Sequence, residues 1–226
     1  MSLLEEHKAE RRARIQKAAA ELVTKRGYEG LTMRELAQVA RVAVPTLYNL
    51  FGSKDAILIA ELEAQAMQIA ARLPDGGNSF FQRGMAAFET GMQLVETAPD
   101  LYRAVMQMFL TSPESAPMRL RLEEGYIAIM ASNLVAAKAA GQLAAWANPD
   151  TVARHMYAQY VAAFLAWGCG ELDSPTFRLA ALSGICHILA GAARGPFADE
   201  VEAKLYWLAS QAPTTKEVPR ATSRRH

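Results

Sequence analysis

The sequence predicts an all-α fold in which a small three-helix unit at the N-terminus precedes a larger helical body. Apolar residues recur at helical spacing along almost all of the 226 residues, and no segment alternates apolar and polar residues with the period of a strand. Prolines and glycines stand at intervals that suit the first turns and the ends of successive helices. Because 51% of the residues are apolar, a substantial core is expected.

Two short helices separated by a tight turn are the most informative part of the N-terminal unit. Helix 1 ends at Gly27, which suits a left-handed stop. Thr32 and Glu35 form a capping box that opens helix 2. Helix 3 follows a three-residue gap and carries Pro45 in its first turn, where a missing N–H costs little. The helices are expected over Glu5–Arg26, Thr32–Ala40 and Val44–Phe51, which is typical of a helix-turn-helix.

Beyond helix 3 the chain divides at one clear break. Ser53 caps a fourth helix over 53–73, and Pro74-Asp75-Gly76-Gly77 then interrupts the helical pattern. We therefore expect an N-terminal domain over 1–54, a helical domain over 55–211 connected through helix 4, and a basic disordered tail over 212–226. The helices of the larger domain are expected over 79–96, 99–110, 114–140, 149–169, 175–193 and 197–210.

Charge is distributed unevenly although the net charge is only +1. Residues 1–54 contain ten lysines and arginines against six acidic residues, residues 55–212 contain ten against sixteen, and residues 213–226 contain four against one. A basic head on an acidic body is typical of a nucleic-acid-binding module joined to a second domain, although ordinary surface variation also produces such a segment.

Cysteine usage and hydropathy indicate a cytoplasmic protein. Cys169 and Cys186 are too few for a disulfide framework, as expected in a reducing compartment. No apolar run approaches the roughly 18 residues of a membrane span, and the charged N-terminus does not resemble a signal peptide.

Helix 3 is expected to bury one face and to present the other to DNA. Leu47, Leu50 and Phe51 share the apolar face. The outward face contains no acidic residue, which suits a major groove. Its expected members are Val44, Pro45, Thr46, Tyr48 and Asn49.

Each outward residue has a chemical use on a duplex. Thr46 and Tyr48 can donate to phosphate oxygens, and Asn49 can bond a phosphate or a base edge. Val44 and Pro45 suit thymine methyl groups.

Further phosphate contacts are expected around this face. Lys54 stands at the amino end of helix 4, where free N–H groups also attract an anion. Thr32 and Arg34 occupy the same place on helix 2, and Arg41 lies in the turn. The alternative is that Thr32 and Ser53 are only helix caps and that Tyr48 only covers Phe51.

The segment from Arg14 to Leu58, about a fifth of the chain, resembles the DNA-binding domain of the tetracycline-repressor (TetR) family of bacterial regulators. The residues that carry the resemblance are Ile15, Ala18, Ala19, Leu22, Gly27, Tyr28, Thr32, Leu36, Ala37, Ala40, Val42, Thr46-Leu47-Tyr48, Phe51 and Ser53-Lys54-Asp55. The resemblance implies that Tyr48 and Lys54 contact phosphates while helix 3 enters the major groove of a palindromic operator. It further implies a homodimeric repressor that a small molecule bound in the C-terminal domain releases from DNA.

Two positions depart from the family pattern. Arg41 stands where the family usually has a glycine, which adopts positive φ at about 1 kcal/mol lower cost. Ala43 removes the usual N-cap hydroxyl of helix 3, at a cost of about 1 kcal/mol.

The larger domain carries residues suited to an apolar ligand pocket. Methionines and aromatic residues adapt to apolar ligands, and amides or imidazoles among them provide polar contacts. The alternative is that these residues belong to the ordinary hydrophobic core, where such side chains are more often found. The candidate ligand contacts are Phe88, Met92, Gln93, Tyr102, Met106, Gln107, Phe109, Tyr126, Met130, His155 and Gln159. No cofactor or metal is expected.

The helices over 149–169 and 175–193 are rich in alanine and glycine, so they are candidates for a two-fold four-helix interface. Close packing within one subunit is the alternative.

Two other functions compete with a ligand-controlled repressor. An all-helical enzyme has few candidates, because the four histidines lack metal-binding spacing and the adjacent Cys186 and His187 point different ways on a helix. No glycine-rich phosphate loop or nucleophile elbow is present. A DNA-bound regulator without a ligand, whose larger domain only dimerises, is the other possibility.

Overall fold

A computed structural model of the chain describes residues 3–70 and 79–211, and within these ranges the fold is all-α. The regular structure of the described residues consists of ten α-helices and one 3₁₀ turn, with a single isolated β-bridge between Leu143 and Ala193. The α-helices are α1 Leu3–Arg26, α2 Met33–Val39, α3 Val44–Phe51, α4 Lys54–Ala70, α5 Phe80–Thr97, α6 Pro99–Thr111, α7 Ala116–Ala139, α8 Pro149–Gly168, α9 Ser174–Ala192 and α10 Pro196–Gln211.

The helix starts follow the expected capping chemistry. The Thr32 and Ser53 hydroxyls accept hydrogen bonds from the Glu35 and Ala56 amides at 3.2 and 3.1 Å. Asn148 and Asp173 cap α8 and α9 in the same way. Because each side chain satisfies an otherwise unpaired amide of the first turn, these residues fix where the helices begin.

One helix start differs from the prediction. The segment expected to begin at Glu114 instead forms a 3₁₀ turn over Pro113–Ser115, and α7 begins at Ala116. The buried Ser115 hydroxyl donates to the Ser112 carbonyl at 2.7 Å and holds this turn closed. The predicted end of helix 4 near Leu73, the Pro74–Gly77 break and the tail over 212–226 lie outside the described residues.

The N-terminal core draws on more of the chain than helices 1–3. Ile15 and Leu47 are fully buried in it, as are Ile57 and Leu58 of α4. Helix α6 completes this core with four buried side chains. These are Leu101, Ala104, Val105 and Met108. The predicted boundary at residue 54 therefore lies inside one continuous core.

A second core fills the larger body. It is built from α5, α7, α8, α9 and α10, with Phe88, Trp167 and Phe177 fully buried near its centre. Tyr102 of α6 packs against both cores, so α6 lies between them. None of the helices in the described ranges is long and apolar enough to cross a membrane.

The turn between α2 and α3 adopts a backbone conformation that is energetically unfavourable for its residues. Arg41 has φ 52°, in the left-handed region where glycine is favoured. Ala43 is the N-cap of α3 and provides no side-chain hydrogen bond. Both expected costs are therefore present, although Gly52, with φ 85°, ends α3 at a suitable residue.

Replacing Arg41 with glycine should stabilise the protein. Relief of the left-handed strain is expected to raise the free energy of unfolding by about 1 kcal/mol, measured by urea denaturation. Arg41→Ala is the matched control, since it removes the guanidinium and keeps the Cβ. Equal stability of the two variants would contradict the assignment of strain to this turn.

Candidate nucleic-acid interface

Helix α3 presents an acid-free surface that stands on a buried apolar face. Leu47 is fully buried, and Leu50 and Phe51 pack against the N-terminal core, as the sequence predicted. Pro45, Tyr48 and Asn49 are exposed, with 53% of Tyr48 accessible. Two predicted members of the outward face are less accessible. Val44 is half-buried and packs partly on the core, and Thr46 is half-buried.

Two arginines of α1 hold the short helices in place, a role that the sequence analysis missed. Arg12 donates to the Leu50 carbonyl and lies over the Phe51 ring at 4.1 Å from its centroid. Arg14 donates from Nε to the Ala40 carbonyl at 3.2 Å. Cations at helix C-termini satisfy free carbonyls and favour the helix dipole, so α1 orients both α2 and α3.

Lys54 is held at the edge of this surface by the loop after α1. Its ammonium lies 3.9 Å from the centroid of the Tyr28 ring and 3.4 Å from the Tyr28 carbonyl oxygen, to which it donates. An ammonium has three donors, so donors remain for a phosphate. Thr32, Arg34 and Arg41, the other predicted phosphate contacts, are exposed on α2 and the turn.

Asp55 is a further residue of this region whose role the sequence did not reveal. It is only 8% exposed, and its two carboxylate oxygens accept hydrogen bonds from Tyr28 and Ser112, both at 2.8 Å. Burial and the adjacent carboxylate raise the pKa of the Tyr28 hydroxyl, so it stays protonated as the donor. The partner residue Ser112 is 57 positions away, which no local pattern indicates.

Part of the predicted ligand set meets in an aromatic cluster between α5, α6, α7 and α8. Tyr126 stacks on Tyr160 at 6.3 Å between ring centroids, and Phe88 lies 6.1 Å from Tyr160. Opposite them, a Cβ built on Gly91 would lie 2.8 Å from the Tyr126 hydroxyl. Gly91 therefore leaves space for the Tyr126 phenol.

The tyrosines of this cluster carry neutral hydroxyl groups. Burial raises the pKa of Tyr157 to about 12 and also raises the pKa values of Tyr102, Tyr126 and Tyr160. Met92, Met106 and Met130 are buried among the same helices. The arrangement provides stacking surfaces with hydroxyl donors that stay protonated at neutral pH.

Other residues of the predicted ligand set lie elsewhere. Gln93 and His155 are exposed. Gln107 donates to Glu29 at 3.5 Å, and Phe109 packs on the N-terminal core. Gln159 is half-buried beside Gly184, where an added Cβ would come within 2.4 Å of its side chain. These positions follow from their helix faces, which composition alone did not specify.

The small residues of α8 and α9 divide between two uses. Ala163 and Ala181 are buried, and Gly184 lets α9 approach Gln159 of α8 within one subunit. In contrast, Ala158 and Ala162 are exposed on α8, and Ala190 and Gly191 are exposed on α9. Internal packing thus accounts for some of these residues and leaves a face of small side chains open.

The residues considered for catalysis do not form a reactive pair. Cys186 is fully buried, which raises the pKa of its thiol to about 11, whereas the next residue, His187, is exposed. A thiol with a raised pKa is a weak nucleophile at neutral pH. The described part of the chain also contains no group of three His, Cys, Asp or Glu side chains placed to hold a metal ion.

Sequence comparisons match the N-terminal region to known regulators. The model for bacterial regulatory proteins of the tetR family matches residues 15–60. Over these residues the chain is thus similar to the DNA-binding part of tetR-family regulators. The HTH-type transcriptional repressor KstR of Rhodococcus jostii is 35% identical over 109 residues, which cover 47% of this chain and 51% of that protein. KstR of Mycobacterium tuberculosis is 42% identical over 67 residues, 30% of each protein. The alignments thus span about half the length of these relatives, or less.

Solved structures of TetR regulators share the fold. SmeT, the repressor of the Stenotrophomonas maltophilia multidrug efflux pump SmeDEF, superimposes with a TM-score of 0.64 at 20% identity, over 82% of this chain and 92% of SmeT. TylP, a TetR regulator from Streptomyces fradiae, gives a TM-score of 0.60 at 19% identity, over 90% and 97%. These likenesses confirm the predicted all-α fold with an N-terminal helix-turn-helix.

Removing the charge of Lys54 should weaken binding to DNA of any sequence. Lys54→Gln is expected to lower affinity for any duplex several-fold and to reduce the slope of log affinity against log salt by about one, measured by fluorescence anisotropy. Arg121→Gln, which removes an exposed charge on α7, is the control. An unchanged salt slope in Lys54→Gln would exclude the phosphate contact.

Proposed function

We propose that the protein is a homodimeric transcriptional repressor that binds a palindromic operator and is released by a small apolar molecule bound in the larger domain. The observation that carries the proposal is the exposed, acid-free face of α3, with Pro45, Tyr48 and Asn49 accessible and Lys54 at its edge. A helix with this chemistry suits a major groove, where hydroxyl and amide groups bond phosphates and base edges. The names of the KstR relatives as transcriptional repressors support the same class of function over an enzyme.

The proposed DNA contacts divide by role. Tyr48, Thr46, Lys54, Thr32, Arg34 and Arg41 contact phosphates and set the register, while Asn49, Val44 and Pro45 face base edges. Because phosphate contacts carry no direct sequence information, Asn49 is the residue expected to determine base preference. Because Val44 and Thr46 are half-buried, only the exposed part of each side chain can contact DNA.

A dimer follows from the small size of one recognition helix. The eight residues of α3 reach only a few base pairs, and two half-sites roughly add their binding energies. The open faces of α8 and α9, with Ala158, Ala162 and Gly191 exposed, support a two-fold four-helix interface. An open groove of about 620 Å³ between α9 and α10, lined by apolar residues that include Leu179 and Leu205, extends this face. We assign a second copy of the chain as its occupant.

Release by a ligand is proposed to act through the aromatic cluster. A molecule inserted beside Tyr126 and Gly91 would displace α6, because Tyr102 of that helix packs against the same core as Tyr126. Movement of α6 would tilt α4 and change the separation of the two recognition helices from one DNA turn, about 34 Å. The exposure of Gln93 and His155 removes them from the proposed contacts, and Gln107 and Phe109 belong to the interface with the N-terminal core.

Selection from a random DNA library tests the proposed function. The full-length protein should enrich a palindrome with half-sites about one helical turn apart, as expected of a two-fold dimer. Asn49→Ala should alter the selected half-site bases, and Ala162→Arg should recover single half-sites because it places a charge in the α8 face. Selection of no motif by the wild-type protein would exclude operator binding.

A thermal-shift screen with uncharged aromatic compounds tests the ligand proposal. A compound bound beside Tyr126 should raise the melting temperature by mass action, and Tyr126→Phe should weaken its affinity by about tenfold through loss of one hydrogen bond. Affinity should stay constant between pH 6 and 9, because the raised phenol pKa values keep these tyrosines protonated. Ser132→Ala, which removes an exposed hydroxyl of α7, is the control.

The alternative to ligand release is a regulator whose larger domain only dimerises. The mutual stacking of Tyr126, Tyr160 and Phe164 supports this alternative, because the rings fill much of their own space. If the screen finds no compound whose binding is weakened by Tyr126→Phe, the regulator without a ligand is favoured.

A further inference from the structure

A buried carboxylate joins three segments at the boundary between the two cores. Asp55, in the first turn of α4, accepts from Tyr28 of the loop after α1 and from Ser112 at the end of α6. We propose that Asp55 is a positioning residue for DNA reading, which fixes the orientation of the helix-turn-helix relative to the body and thereby the half-site spacing that the dimer accepts. This inference rests on the proposed operator-binding function.

Directional bonds matter at this boundary because the packing of α6 on the N-terminal core is mainly apolar. Leu101, Val105 and Met108 of α6 pack on the N-terminal core, and such packing holds surfaces together without strongly fixing a rotation. Each bond to Asp55 has an ordinary O–H···O length of 2.8 Å, and a bond from a hydroxyl to a carboxylate is about twice as strong as a neutral one. A second polar link, from Gln107 to Glu29 at 3.5 Å, is long and exposed. The Asp55 bridge is therefore the stronger of these two directional links between α6 and the N-terminal residues.

The bridge also reaches the proposed phosphate contact. The Tyr28 ring whose hydroxyl binds Asp55 carries the Lys54 ammonium on its face at 3.9 Å. The Tyr28 carbonyl accepts from the same ammonium. A rotation of Tyr28 would therefore move Lys54. The Ser112 hydroxyl at the end of α6 is thus linked to the Lys54 ammonium through Asp55 and Tyr28.

The Ser112 end of the bridge has an alternative partner. The Ser112 hydroxyl lies 2.8 Å from an Asp55 oxygen and 3.0 Å from a Glu114 oxygen. A hydroxyl has one proton, so it donates fully to only one of the two carboxylates. Ser112 can thus donate to Glu114 instead of Asp55 and remain hydrogen-bonded. The Ser112–Asp55 bond is therefore the one whose loss costs the least free energy.

Ser112→Ala tests the proposal because it removes the body-side bond and leaves the Tyr28 bond intact. Binding of the full-length protein is measured on palindromes with identical half-sites whose separation changes by one base pair at a time. Each added base pair rotates one half-site by about a tenth of a turn. The wild-type protein should prefer one separation by about tenfold or more, and Ser112→Ala should reduce this ratio at least threefold while half-site base preference stays unchanged.

Matched variants separate positioning from loss of structure. Ser112→Thr keeps the hydroxyl and should retain the wild-type ratio, and Ser132→Ala removes an exposed hydroxyl of α7 as a control. Tyr28→Phe should flatten the spacing preference and also weaken binding at every separation, because it loosens the support of Lys54.

Two results would overturn the proposal in distinguishable ways. A spacing ratio in Ser112→Ala equal to that of the wild-type protein would remove the positioning role and leave operator binding intact. A wild-type protein that binds no palindrome at any separation would overturn operator binding itself, and the positioning role with it.

Discussion

Helix α6 is the constraint on which the rest of the structure depends, because it is shared by both hydrophobic cores. Its residues Leu101 and Met108 are buried with the helix-turn-helix, and Tyr102 packs against both cores. On its other side, Met106 occupies the space above Gly168 of α8. A displacement of α6 thus disturbs close packing on two sides at once, and close-packed interiors resist such changes. This sharing provides a physical route from the larger domain to the proposed DNA-reading surface.

The recognition helix depends on its neighbours more than on its own sequence. Eight residues are too few for a stable isolated helix, and α3 lacks a side-chain cap at Ala43. Its orientation comes instead from buried Leu47 and from Arg12, which binds its last turn. With this external support, Pro45, Tyr48 and Asn49 remain exposed on the outward face.

Local chemistry predicted much of the fold, and long-range contacts account for what it missed. Thr32, Ser53 and Pro45 identified helix starts because caps act within one turn, and the left-handed turn at Arg41 followed from its place in the family pattern. The exposed face of α3 also followed from helical periodicity. In contrast, the Asp55 bridge joins residues 57 positions apart, and Arg12 reaches a carbonyl 38 positions away. The composition of α5 to α8 identified a region rich in aromatic residues, but the side-chain directions of Gln93 and Gln107 depended on how the helices pack.

Gly91 determines how much space the Tyr126 side chain has in the aromatic cluster. The Tyr126 phenol stands where a methyl group at this position would intrude, at 2.8 Å. The close approach of α5 to the Tyr126 ring consequently depends on the absence of a side chain at Gly91. Any substitution at position 91 would therefore reduce the space available in the cluster and force the Tyr126 ring to move.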